Sequence, residues 1–129
     1  LCHISVGFLF GGDVKITIII NDAPYGSERA YNALRLADVL LTMEEDAEIS
    51  VFLLGDAVLC AKKGQKTPQG YYNIEKMLLP ILRRGMVMCC QTCMEARGLT
   101  KEDLIEGCRV AKLGELGILV LESDKVITF

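Results

Sequence analysis

Residues 15–20 read Lys-Ile-Thr-Ile-Ile-Ile, a β-branched run that closes on three consecutive isoleucines. Such a run belongs in the interior of a parallel sheet, where both faces are covered. Glu48 to Leu54 repeats the pattern, and Met86 to Cys90 is a shorter version of it. Between the first two runs the period changes. Ala30, Ala33, Leu34, Ala37, Leu40 and Leu41 recur at helical spacing, which predicts a helix to about Glu44 with Ser27 as N-cap and Glu28 in its first turn. Tyr72 to Arg84 reads as a second helix, with Pro80 as a kink.

After the third strand a short helix is expected to carry Met94 to Arg97, and Thr100 to cap another over Lys101 to Glu106. A strand over Cys108 to Ala111, a helix over Leu113 to Glu122 weakened by Gly114 and Gly117, and a strand over Val126 to Phe129 complete the chain. A long loop bearing Gly and Pro is expected through Ala61 to Gly70. Successive βα units give an α/β fold, a three-layer αβα sandwich with a mostly parallel sheet.

At 129 residues, positions 14–129 suffice for a single domain with its own core. Residues 1–13 are set apart. Leu1 to Phe10 lack the basic start and cleavage site of a signal peptide. Gly11-Gly12-Asp13 can be encoded by a purine-rich ribosome-binding site and Val14 by a GTG start codon, so these thirteen residues are expected to be a non-native translated leader in a prokaryote. Half the chain is hydrophobic, with no Trp, and so much apolar surface on a small domain predicts a homo-oligomer. A net charge of -3 argues against nucleic acid as a partner, and no apolar run reaches the length of a membrane span.

The chemistry concentrates in Cys89-Cys90-Gln91-Thr92-Cys93, at the passage from the third strand into the following helix. Six cysteines, two of them adjacent, do not make a disulfide framework, and the thiols are expected to be free. In an open parallel sheet the loops leaving the carboxyl ends of the strands form the ligand crevice. That edge should gather Asn21 to Gly26, Gly55-Asp56, and Cys89 to Cys93. A thiol near a helix N-terminus, with Arg97 four residues past Cys93, is favoured as thiolate. Cys60 and Cys108 read as buried and inert. Asp22 and Asp56 orient loops or a partner, or simply form turns, and Lys62, Lys63 and Lys66 make either a basic docking loop or a solvated one.

Rival chemistries fit less well. Structural zinc needs a second ligand pair, for which the chain offers scattered Cys60 and Cys108 and the Cys2-His3 step. A thioredoxin-type pair opens the helix after an early strand, whereas this one follows the third. His3 is the single histidine, which disfavours a Cys/His catalytic arrangement. The first turn lacks GxGxxG and carries Asp22 and Glu28, which repel a pyrophosphate. No metal and no cofactor are expected. A dithiol/disulfide redox protein with Cys90 and Cys93 cycling, and a noncatalytic binding module, are the remaining alternatives.

Asn21-Asp22-Ala23-Pro24-Tyr25-Gly26-Ser27-Glu28-Arg29, Gly55-Asp56-Ala57-Val58, Gly70-Tyr71-Tyr72-Asn73, Cys90-x-Thr92-Cys93-x-x-Ala96-Arg97-Gly98 and the closing Asp124 to Phe129 together resemble the DsrE/DsrF-like sulfur-relay family, in its small YchN-like branch. The resemblance spans Lys15 to Phe129. It implies assembly into a homotrimer or homohexamer, a cytoplasmic setting, and sulfur-donor and acceptor proteins as partners. It also implies a loop cysteine that holds sulfur as a persulfide. That role maps onto Cys90, with Cys93 and Arg97 beside it and Asn21, Asp22, Tyr25, Gly55, Asp56 and Cys89 as surrounding binding positions. Relatives often carry Gly between the cysteines where this chain has Gln91, and Cys89 is an additional thiol, so the choice between Cys89 and Cys90 as nucleophile stays open.

Overall fold

A computed structural model of the chain describes residues 13–129. The expected leader, apart from Asp13, lies outside the described residues. Five strands, β1 (Lys15–Ile20), β2 (Glu48–Leu53), β3 (Met86–Cys90), β4 (Arg109–Ala111) and β5 (Lys125–Thr128), form one sheet in the order β4-β3-β2-β1-β5. Every pairing is parallel, and Ile18 stands opposite Val51 on one side and Ile127 on the other. The two edge strands are the shortest, with three residues in β4 and four in β5.

Helices α1 (Arg29–Met43), α2 (Ile74–Arg84), α3 (Gln91–Glu95) and α4 (Leu113–Glu122) connect them. From β1 through β4 the chain steps in one direction across the sheet, then α4 carries it back past β1 to β5. Right-handed crossovers therefore place α1 and α2 on one face and α4 on the other, which is the three-layer arrangement the sequence predicts. The apolar run of β1 follows from this position: Ile18 and Ile20 are fully buried, and so are Val51, Phe52 and Leu53 of β2. Above them α1 presents Ala30, Ala33, Leu34 and Ala37, and α2 presents Ile74, Leu78 and Ile81, all buried. Alanine at successive helical contacts lets α1 lie close to the strands. Each large side chain so enclosed stabilises the fold by roughly 1.5–3 kcal/mol.

Close approach also explains Gly85, between α2 and β3. A Cβ there would stand 2.7 Å from the carbonyl oxygen of Ile49 on the neighbouring strand. The other face is covered more thinly. Helix α4 buries Leu116 but exposes Leu113, Ile118, Val120 and Leu121, and beneath its end the Thr17 and Ser123 hydroxyls share a 2.7 Å hydrogen bond. No helix among the described residues is long and apolar enough to cross a membrane.

Several boundaries differ from the sequence reading. Helix α1 starts at Arg29 with Glu28 at its N-cap; the Ser27 hydroxyl accepts from the Arg29 amide and donates to Asp22, so it shapes the preceding turn. Residues 55–61, assigned to the strand end and the loop after it, form a buried 3₁₀ segment (Gly55–Ala61). Helix α2 starts at Ile74, two residues after the expected Tyr72, and ends at Arg84 as expected; α3 covers Gln91–Glu95 where a helix carrying Met94 to Arg97 is expected, and the short helical turn after Thr100 covers only Lys101–Asp103.

Candidate functional site

Because the sheet is wholly parallel, the loops after β1, β2 and β3 leave it at one edge. The chain turns there from β3 directly into α3, and Cys90 is both the last residue of the strand and the N-cap of the helix. An N-cap residue has an extended backbone that aims its side chain at the unbonded amides of the first turn. Here the acceptor is sulfur: Cys90 Sγ takes the Cys93 amide at 3.4 Å and lies 3.3 Å from the Thr92 hydroxyl. The helix is five residues long and is anchored by buried Met94 and Leu99, with Gly98 making the left-handed exit at φ 68°.

These contacts decide the ionisation of the pair. Burial alone pushes the Cys90 thiol up, but the Cys93 thiol, the Thr92 hydroxyl and the amides of Cys93 and Thr92 together outweigh it and hold Cys90 below the ordinary thiol range. Cys93 moves the other way: burial and its hydrogen bond to Cys90 raise it, against the opposing pull of the Gly55 amide and Arg97. Of the two thiols, Cys90 is therefore the first to give up its proton and Cys93 the one that keeps it. Only 3% of Cys90 is exposed, while Cys93 is half-buried and nearer the solvent.

Arg97 does not address the Cys90 sulfur directly. Its Nε donates to Asp56 Oδ1 at 2.8 Å and its Nη1 to the Cys93 carbonyl at 3.0 Å, so it ties α3 to the 3₁₀ segment. Gly55 adopts φ 56°, and a Cβ at that position would contact the Asn21 carbonyl at 3.6 Å and Arg97 at 3.9 Å. Glycine is required there by its backbone. The site therefore joins Cys90, Cys93, Arg97, Gly55 and Asp56, with Asn21 at its margin.

The remaining sequence-derived positions serve the frame around it. The Asn21 side chain and amide both donate to the Phe129 carbonyl, which fixes the end of the chain. Asp22 accepts from Ser27 at 2.7 Å and faces Arg29 at 3.8 Å. Tyr25 donates through its hydroxyl to Gln65 and accepts from the Ile74 amide. Cys89 is not brought to the site. It is fully buried, and a hydrogen bond to Cys108, then burial, drive its thiol far above the ordinary range while the same bond lowers Cys108. Cys60 is also enclosed, and burial pushes it up to about 12. All five described cysteines are free thiols.

The sequence reading did not single out Thr92 or Gln65. Thr92 could have been found from its place two residues after a capping cysteine, but Gln65 joins partners scattered along the chain and gives no local signal. Lys62 and Lys63 lie near Asp103, whose carboxyl is lowered chiefly by the Thr100 amide and further by these two lysines. No cluster of three or more His, Cys, Asp or Glu among the described residues is arranged to hold a metal ion.

Residues 14–129 match the model of the DsrE/DsrF-like family. Among curated proteins, Protein YchN of Escherichia coli (strain K12) is 42% identical over 116 residues, covering 89% of this chain and 98% of its own. Its crystal structure superposes with a TM-score of 0.86, covering 90% of this chain and 99% of the other. Uncharacterized protein MJ0989 of Methanocaldococcus jannaschii is 44% identical over 116 residues, 90% of this chain and 100% of its own. More distantly, a Sulfurtransferase TusD homolog of Vibrio vulnificus (strain YJ016) is 28% identical over 131 residues, 90% of this chain and 98% of its own.

Proposed function

The chain belongs to the DsrE/DsrF-like family, and from that premise we propose that it is a small sulfur carrier that holds persulfide sulfur on Cys90 and passes it to an acceptor thiol. The observation that carries this reading is the inverse ionisation of the two thiols. Contacts with Thr92 and Cys93 lower the Cys90 thiol, and burial and the bond to Cys90 raise Cys93, so Cys90 is the more readily ionised of the two. The thiolate is the nucleophilic form of a cysteine.

In the loading step the Cys90 thiolate attacks the outer sulfur of a donor persulfide, R–S–SH. The new bond is Cys90 S–S, the bond to R–S breaks, and the donor leaves as its thiolate. In delivery an acceptor thiolate attacks the outer sulfur of Cys90–S–SH and restores the Cys90 thiolate. Without an acceptor, Cys93 attacks the Cys90 sulfur, closes a Cys90–Cys93 disulfide and expels the outer sulfur as hydrogen sulfide, which takes up the Cys93 proton. Thr92 and the first-turn amides would hold the Cys90 thiolate as nucleophile in loading and as leaving group in delivery. Sulfur donor and acceptor proteins, a homotrimeric or homohexameric state, and a cytoplasmic setting belong to this reading. The distant sulfurtransferase relatives and the exposed apolar side chains of α4 support parts of it.

The test is peptide mass spectrometry of reduced protein treated with polysulfide, in wild type, Cys90→Ser and Cys93→Ser. A one-sulfur adduct on the Cys90 peptide, retained in Cys93→Ser and lost in Cys90→Ser, is the expected result. A Cys90–Cys93 disulfide with no adduct in either background would overturn sulfur carriage in favour of a dithiol redox protein.

A further inference from the structure

Helices α1 and α2 both begin at the carboxyl edge of the sheet, and between their first turns and residues 67–73 lies an open groove of about 550 Å³. Its wall is aromatic. Tyr72 packs against Tyr31 at 4.4 Å between ring centroids and against Tyr25 at 5.7 Å, and Tyr71 stands 72% exposed at its rim. Two cations flank this wall: the Arg35 guanidinium, 5.3 Å over the Tyr31 ring, and Lys76 in the first turn of α2. No Asp or Glu lines the groove, and neither cation forms an ion pair among the described residues. In a chain with 17 acidic and 14 basic residues this is a local reversal of charge.

The groove is also held in shape. The Gln65 amide donates to Glu75 at 2.7 Å, its side chain donates to the carbonyls of Cys60 and Lys62 at 2.9 Å each, and Asn73 donates back to the Gln65 carbonyl at 3.1 Å. Tyr25, from the loop after β1, closes this network through its hydroxyl. A surface fixed before binding loses little conformational freedom when it is occupied. Arg35 also donates to the Asn32 side chain at 3.2 Å, which leaves its charge without a carboxylate, and an open trough with an aromatic wall and two such cations suits an extended polypeptide, since a small molecule needs most of its surface enclosed.

We propose that this groove docks an acidic peptide segment of the protein that exchanges sulfur with Cys90; the exchange, though not the binding, rests on the function proposed above. Carboxylates of the segment meet Arg35 and Lys76, and apolar side chains between them lie on Tyr31, Tyr71 and Tyr72. Complementary charge of this kind steers encounter and excludes basic partners.

Binding is tested with two fluorescein-labelled peptides of equal length, alternating leucine with glutamate or leucine with lysine, titrated into Cys90→Ser protein and read by fluorescence anisotropy. That variant cannot load sulfur on Cys90, so failure of docking and failure of sulfur carriage are distinguishable. The glutamate peptide is expected to bind and the lysine peptide not. Arg35→Glu with Lys76→Glu should weaken the glutamate peptide about tenfold, with Arg35→Gln and Lys76→Gln in between. Both positions are exposed, and circular dichroism checks that the fold is kept. Absence of glutamate-peptide binding at millimolar protein, equal binding of the two peptides, or affinity unmoved by charge reversal would each overturn the proposal.

Discussion

Replacing Thr92 with valine keeps the shape of the side chain and removes the hydroxyl 3.3 Å from Cys90 Sγ. A hydrogen bond to a charged acceptor contributes about 1.5–3 kcal/mol, and the exposure of Thr92 places this one at the lower end. Its loss shifts the ionisation of Cys90 about tenfold toward the thiol. Reactivity does not fall by the same factor, because a more basic thiolate is about threefold more nucleophilic for such a shift. Alkylation of Cys90 by iodoacetamide should therefore be about threefold slower in Thr92→Val on the acid side of the profile, and about threefold faster on the alkaline side where both proteins are ionised. The assay is the second-order rate at the Cys90 peptide, followed by mass spectrometry from about pH 5 to about pH 10. Thr92→Ser, which retains the hydroxyl, should follow wild type. Superimposable profiles, or a variant slower at every pH, would refute the claim that Thr92 stabilises the anion.

Burial holds the Cys60 proton to about pH 12, whereas the unfolded chain releases it near 9.0, so the folded state binds the extra proton between them. Stability should fall there by about 1.4 kcal/mol per pH unit from this group alone, and urea titrations of Cys60→Ala should show a slope shallower by that amount. Gly85→Ala drives a methyl group against the Ile49 carbonyl and should cost about 1–3 kcal/mol, read as a lower urea midpoint with unchanged m. Asn73 caps α2 by accepting the Lys76 amide at 3.1 Å, and Asn73→Ala should cost about 1 kcal/mol in the same assay. Asp56→Asn removes an ion pair whose carboxylate is largely exposed, and should change stability by no more than about 1 kcal/mol.

The sheet was legible because its evidence is local. Ile18 to Ile20 and Val51 to Leu53 are apolar on both faces, and that pattern has few other uses. The passage from Cys90 to Cys93 was legible only as a thiol near a helix start: the sequence puts a turn there before a helix carrying Met94 to Arg97, whereas the helix begins at Gln91 and makes Cys90 its cap. The 3₁₀ segment was missed because Gly-Asp-Ala-Val-Leu-Cys-Ala is too short to establish a helical period, and its burial depends on α2 and α3 closing over it. Cys89 and Cys90 could not be separated from sequence, since adjacent residues of one type differ only in which side of the strand they leave from. The structure separates them by giving Cys89 to Cys108 and Cys90 to the first turn of α3. Arg97 showed its nearness to Cys93 by spacing, but its partner Asp56 lies 41 residues earlier, and only the parallel arrangement of β2 and β3 brings the two together.

The shortness of β4 and β5 limits how copies of this chain can meet. A sheet edge of three or four residues offers a neighbour very few backbone hydrogen bonds, and Arg109 and Lys125 put charge on those margins. Short, charged edges resist strand-to-strand addition. A self-association of this chain would therefore be channelled to side-chain contacts across the faces, and its copies would part without unzipping a shared backbone ladder.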